Sequence, residues 1–270
     1  MHQVKFKEQF NTIKIKKKSM LCVGLDPELE KLPGCVQSDG DAIFKFCREI
    51  IQSTAQFTAA YKINFAFFER FGAKGWQIIE RLVEEIPQDC LSIADAKRGD
   101  IGNSARHYAH AIFGELNFDS VTVNPYMGKD STAPFLDWQE KATFFLGLTS
   151  NPGATDFQYF TQDDQPLYSF VAENIESWNK INNNCGLVVG ATRPEQLREI
   201  RKIAPKLTFL IPGVGAQGGS VETVVQNIGD SNALISASRS IIYASPENDF
   251  ADAAALEAEK LQRQMAPFIE

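Results

Sequence analysis

The sequence predicts an α/β protein of the (β/α)8 TIM-barrel class, built as a single domain over residues 1–270. Three observations point there. Eight short apolar runs recur along the chain, and almost all end in polar or glycine-rich turns. Amphipathic segments with helical spacing lie between them. Eight such units in 270 residues leave about 34 residues each, enough for one strand, one helix and two short loops. A doubly wound open sheet is the architectural alternative for the same alternation.

The elements follow in order. Residues 1–19 read as a lead-in, with the lysines between Lys14 and Lys18 forming a solvated approach to the first strand rather than a localisation signal. The strands are expected at 20–25, 59–63, 90–94, 120–124, 143–148, 186–191, 207–211 and 233–238. These runs are rich in Val, Ile, Leu and Phe and lack strict alternation, as strands buried on both faces do. DAIFKFCREIIQSTAQF and GWQIIERLVEEI carry apolar residues at helical spacing. Thr192, Arg193, Pro194 and Glu195 predict a capping box with Thr192 as N-cap. The least regular stretch, 150–166, reads as a long functional loop after the fifth strand.

Composition narrows the function classes. Hydrophobic residues make up 44% and charged residues 23%, which is globular and leaves disorder and coiled coil as poor fits. A net charge of -7 argues against nucleic acid or anionic membranes as general partners. No apolar stretch approaches the roughly 18 residues of a membrane span, and no signal peptide is visible, so a cytoplasmic protein is expected. Cys22, Cys35, Cys47, Cys90 and Cys185 are far apart and read as reduced thiols. His107 and His110 lack a third ligand and read as a helix surface, so no metal site is expected.

Barrel chemistry sits where strands end. Asp26 ends the first strand, and Lys62 lies on the second. The third runs into Asp95-Ala96-Lys97-Arg98-Gly99-Asp100-Ile101. Asp95 and Lys97 are two apart, so an extended backbone points both the same way, and Arg98 away from them. Lys62 reaches the same mouth. Such an array is either a salt-bridge network closing the barrel top or a catalytic site; charges at C-terminal strand ends favour chemistry. Pro212-Gly213-Val214-Gly215-Ala216-Gln217-Gly218-Gly219 after the seventh strand and Arg239 after the eighth suit a phosphate. The alternative is a plain glycine-rich turn with a surface arginine.

DAKRGDIGNSA, VNPYMGKD, SNPGA, VVGATRPEQL and IPGVGAQGG, with LDP near Asp26, resemble the longer, bacterial-type branch of the orotidine 5′-phosphate decarboxylase family. The likeness spans roughly residues 20 to 245 in the right order. It implies conversion of orotidine 5′-monophosphate to uridine 5′-monophosphate and CO2, the last step of de novo UMP synthesis, with no metal or organic cofactor. It implies a homodimer in which Asp100 of one subunit completes the Lys62, Asp95 and Lys97 array of the other, with Lys97 as proton donor. On that pattern Asp26 and Lys62 contact the ribose and Ser150 the pyrimidine. Gln217 and Arg239 hold the phosphate with backbone help near Ser238, Pro212 shapes the pocket, and Ile101 and Ser104 join the substrate set. Ser104 stands where threonine is frequent, and Ser240 follows Arg239 where glycine is frequent.

The chemistry agrees with that pattern. Loss of CO2 from C6 leaves an in-plane electron pair that the ring delocalises poorly. A fixed ammonium beside C6 stabilises it and then delivers a proton. Loops 150–166 and 213–220 are the candidate lids. Two rivals are distinguishable. Metal-dependent sugar-phosphate barrels, a keto-gulonate phosphate decarboxylase or a hexulose phosphate synthase, are expected to carry a carboxylate where Lys62 stands. A nucleotide sensor needs no proton donor.

Overall fold

The computed structural model describes residues 5–37, 41–215, 219–229 and 232–269. Among these, eight parallel strands close a barrel: β1 (Leu21–Leu25), β2 (Ala60–Asn64), β3 (Leu91–Arg98), β4 (Ser120–Val123), β5 (Ala142–Leu148), β6 (Cys185–Val189), β7 (Thr208–Pro212) and β8 (Ala233–Ala237). Each pairs with its neighbours in sequence, and β8 returns to β1, so the sheet is a (β/α)8 barrel and not an open one. Every apolar run holds its strand to within two residues, except that β3 continues past its run to Arg98.

Both faces of the strands are buried, which explains the missing alternation. Leu21, Val23, Val121 and Val123 face the surrounding helices in one apolar cluster. Cys22, Ala60, Leu91, Ile93, Phe144, Val188, Leu210 and Leu234 fill the barrel interior in a second. Helix Ala42–Thr54 packs Phe46, Ile50 and Ile51 inward, and helix Ala73–Glu85 packs Ile78, Ile79 and Leu82. No helix among the described residues is long and apolar enough to cross a membrane.

Three details differ from the sequence reading. The lead-in is a helix, Phe6–Lys17, whose Phe6, Phe10 and Ile13 join the interior cluster. Phe6 stands edge-on to Phe144 with ring centroids 5.8 Å apart, so this helix seals the N-terminal end of the barrel. Its lysines are not all solvated. Lys17 Nζ is buried and donates to the carbonyls of Ala55 (2.8 Å) and Thr58 (3.1 Å) and to Cys90 Sγ (2.9 Å). Second, the capping box does not form. Helix Pro194–Ile203 starts one residue later than expected, with Arg193 at the N-cap and no side-chain cap bond. Proline favours the first helical position, where its missing N–H costs nothing, and that preference moves the helix start. Third, the 150–166 stretch is ordered by a 3-10 turn, Pro152–Asp156, and a two-stranded hairpin pairing Thr161–Gln162 with Gln165–Pro166.

Gly75 shows how closely helix Ala73–Glu85 approaches the short helix Ala66–Glu69 that precedes it. A Cβ there would lie 1.8 Å from the Phe68 carbonyl oxygen, so helix Ala73–Glu85 cannot carry a side chain at that crossing. Gly75→Ala is expected to destabilise the fold by about 2 kcal/mol through overpacking, read as a lower urea midpoint; an unchanged midpoint would show that the crossing gives way.

Candidate active site

The charged site grows out of the barrel interior. On β2, Ala60 and Lys62 are two residues apart. On β3, so are Leu91, Ile93 and Asp95. Residues at this spacing share one face of a strand. Ala60, Leu91 and Ile93 belong to the dry interior, and Lys62 and Asp95 continue the same columns into the mouth. Lys62 Nζ lies 2.8 Å from Asp95 Oδ2 and 3.7 Å from Asp26 Oδ1. Lys97 Nζ lies 2.6 Å from Asp95 Oδ1. Lys62, Asp95, Lys97 and Asp26 are therefore brought together as expected.

Lys97 reaches Asp95 by a different backbone route. The β3–β4 register shifts between Ala94 and Arg98, and Lys97 has φ 46°, in the left-handed region. A bulge, not a plain extended strand, turns the ammonium back over the carboxylate. Lys97 is half-exposed, whereas its partner Asp95 is nearly covered. Arg98 points outward as expected: it donates to Glu69 Oε1 at 2.7 Å and lies over the rings of Phe65 and Tyr108.

One residue of the cluster was not singled out from sequence. Thr122 on β4 donates from Oγ1 to Asp95 Oδ1 at 3.0 Å and accepts the Lys97 backbone N–H at 2.9 Å. A signal was present. Ser120 and Thr122 are polar at alternate positions of a strand whose other residues are valines, which marks the inward face.

Charge neutralisation dominates the electrostatics. Burial alone would push the Lys62 ammonium down, but Asp26 and Asp95 hold it above the ordinary lysine value. Burial alone would raise the Asp95 carboxyl, but Lys62 and Lys97 hold it well below the usual carboxylate range. Asp95 stays an anion and Lys62 a cation. Desolvating an ion costs several kcal/mol, so a single pair would not hold Asp95 here; three donors on its two oxygens do.

The other expected residues fall into two groups. A cavity of about 290 Å³ is lined by Asp26, Lys62, Asn64, Pro212, Ser236, Ser238 and Arg239, among others, and joins the charged cluster to the end of β8. Ser238 Oγ donates to the Gly24 carbonyl at 3.0 Å. Arg239 is exposed and makes no ion pair among the described residues. Asp26 Oδ1 is buried and makes no hydrogen bond; its charged neighbour is the Lys62 ammonium at 3.7 Å. Ser150 follows β5 and packs against Gly190, where a Cβ would meet it at 3.1 Å. Gln217 lies outside the described residues. The second group faces away. Asp100 Oδ1 accepts only the adjacent Ile101 N–H, at 2.8 Å, and no ion pair joins it to Lys97 of its own chain. Ile101 is 60% exposed, and Ser104 is exposed on helix Gly102–His110.

A larger cavity of about 910 Å³ opens beside β5, lined by Tyr126, Phe157, Phe170 and Trp178 among others. Lys129 is its one charged lining residue, so it holds no array of opposed charges. Among the described residues, no group of three or more His, Cys, Asp or Glu side chains is placed to hold a metal ion.

Comparison with known proteins adds ancestry to this geometry. Residues 19–254 match the profile of the family described as orotidine 5'-phosphate decarboxylase / HUMPS. The chain is 49% identical over 265 residues to the orotidine 5'-phosphate decarboxylase of Christiangramia forsetii, covering 95% of this chain and 96% of that one. It is 47% identical over 266 residues to the protein of the same name in Dehalococcoides mccartyi, covering 96% of each. Among solved structures it resembles the Leishmania donovani OMP decarboxylase, at 37% identity and a TM-score of 0.82 over 96% of this chain and 99% of that one. It also resembles the Leishmania donovani UMP synthase, at 40% identity and a TM-score of 0.84, covering 96% of this chain but 57% of that one.

Asp95→Asn removes the shared anion and leaves the buried Lys62 with Asp26 alone. A loss of about 3 kcal/mol in unfolding free energy is expected. The Asp95 contribution is full above the ordinary carboxylate value of 3.8 and is lost only as pH falls through its depressed value. The Lys62 contribution is full below 10.5 and is lost only as pH rises through its raised value. Urea titrations should therefore give the same deficit across the neutral range. A deficit that shrinks between about pH 5 and pH 9 would mean that the pair titrates there.

Proposed function

We infer the activity from ancestry and geometry together: the chain belongs to the orotidine 5'-phosphate decarboxylase / HUMPS family. The reaction we propose is decarboxylation of orotidine 5′-monophosphate to uridine 5′-monophosphate and CO2, carried out in the cytoplasm as the closing step of UMP synthesis. The observation that carries it is the Lys62–Asp95–Lys97 array. Metal-dependent sugar-phosphate members of such a family need an anion where Lys62 stands. An ammonium 2.8 Å from Asp95 repels a divalent cation from that carboxylate.

The mechanism follows from charge placement. The substrate phosphate anchors at Arg239 with Ser238 beside it, Gln217 being assigned to the phosphate from the family resemblance alone, and the ribose hydroxyls meet Lys62 and Asp26. Pro212 and Ser150 bound the ring. This anchoring holds C6 against Lys97. As the C6–CO2 bond breaks, its electron pair stays on C6, and the Lys97 ammonium stabilises that pair and transfers a proton to it. Asp95, already fixed by three donors, keeps the ammonium in place and charged before the reaction begins. No metal or organic cofactor enters these steps.

The outward-facing Asp100, Ile101 and Ser104 support a shared site. Ile101 (60%), Tyr126 (85%) and Met127 (44%) are all exposed, and Met127 lies beside Gly99, so exposed apolar side chains accompany the stretch that carries Asp100. We propose a homodimer in which this surface meets its copy and Asp100 enters the partner's site beside Lys97.

Lys97→Ala is expected to abolish loss of orotidylate absorbance while leaving the thermal midpoint near that of the parent protein; substantial residual kcat would overturn the proton-donor role. Arg239→Ala should raise KM for orotidylate far more than for the phosphate-free nucleoside, and an equal effect on both would remove the phosphate role. Full activity in excess chelator is expected. Mixing inactive Lys97→Ala and Asp100→Ala subunits should restore roughly a quarter of parental activity through hybrid dimers; no recovery in demonstrated hybrids would place Asp100 outside the partner's site.

A further inference from the structure

Thr122 occupies an unusual position in the hydrogen-bond pattern. Its hydroxyl has one proton and two lone pairs. A carboxylate only accepts and a backbone N–H only donates, so the direction of both bonds is fixed. Lys97 N–H donates to Thr122 Oγ1, and Thr122 O–H donates to Asp95 Oδ1. The same Oδ1 accepts the Lys97 ammonium at 2.6 Å. The two ends of Lys97, backbone and side chain, are thus tied to one oxygen, directly at one end and through Thr122 at the other.

The closed ring spans the point where β3 leaves regular geometry. The left-handed φ of 46° at Lys97 costs a non-glycine residue of order 1 kcal/mol or more and persists only where neighbours impose it. At the bulge the Lys97 N–H has no strand partner among the β3–β4 pairs, and Thr122 Oγ1 supplies one. Thr122 is itself buried, at 1% exposure; its bond to Asp95 is buried and the bond from the Lys97 amide partly so. Packing of β4 against the helices is done by Val121 and Val123, which face the other way.

Resting on the decarboxylase reading, we propose that Thr122 is a positioning residue: its hydroxyl holds Lys97 in the bulged conformation and sets where the ammonium stands over C6. It touches neither substrate nor reacting atoms. Its effect belongs to turnover rather than binding, because phosphate and ribose anchor elsewhere.

The test compares Thr122→Val, which keeps shape and loses the hydroxyl, with Thr122→Ser, which keeps the hydroxyl and loses the methyl. Steady-state kinetics on orotidylate are read beside amide hydrogen exchange at Lys97. The valine variant should lose about 100-fold in kcat with little change in KM, and its Lys97 amide should exchange faster. Serine should restore both. Parental kcat in the valine variant, or equal losses in valine and serine, would overturn the proposal. If the valine variant does not fold, Thr122→Ala replaces it: alanine and serine both lack the methyl, so equal kcat in the two again refutes the role. Absence of turnover in the parent protein would defeat the decarboxylase reading alone. The exchange rates would then decide the clamp: unchanged protection in the valine variant refutes it, and lost protection supports it.

Discussion

The carboxylate of Asp95 organises the top of this barrel. One oxygen takes the Lys62 ammonium, and the other takes both the Lys97 ammonium and the Thr122 hydroxyl. Two cations within 3 Å of one another's anion would scatter without it, and a lone anion at this depth would protonate. With it, the charges are fixed before any ligand arrives. In the proposed decarboxylation, whose anion has no good resonance home, that prior fixation would matter. The protein need not reorganise its dipoles while the bond breaks.

The sequence was most legible where burial dictates residue type. All eight strands stood out because a strand buried on both faces has few options beyond Val, Ile, Leu and Phe. The charges of the site stood out for the opposite reason: Lys62 and Asp95 are ions in an otherwise apolar setting. Legibility failed where local geometry overrides a rule. Lys97 faces Asp95 through a bulge, and no propensity marks an unbranched lysine for positive φ. Thr192 looked like a cap until Pro194 claimed the first helical position. The opening lysines looked solvated because lysine usually is. The Lys17 ammonium is buried because four acceptors, two carbonyls, the Cys90 sulfur and the Asp89 carboxylate, converge on it from two other segments, a tertiary fact with no local trace.

On the proposed dimer, the site is also divided between what one chain completes and what it offers outward. Asp26, Lys62, Asp95 and Lys97 converge inside the mouth, while Asp100, only three residues after Lys97, turns to the surface with its carboxylate bonded to its own neighbour's amide. A single turn of chain thus serves two directions. The switch occurs at Gly102, whose φ of 51° lets the backbone turn from the end of β3 into a helix.

The opening helix gives the barrel a stopper. With Phe6 set against Phe144 and Phe10 and Ile13 in the same interior cluster, the filled core of the barrel is capped at its N-terminal end. A ligand of the charged cluster therefore meets it from the C-terminal mouth, with a packed apolar plug beneath it.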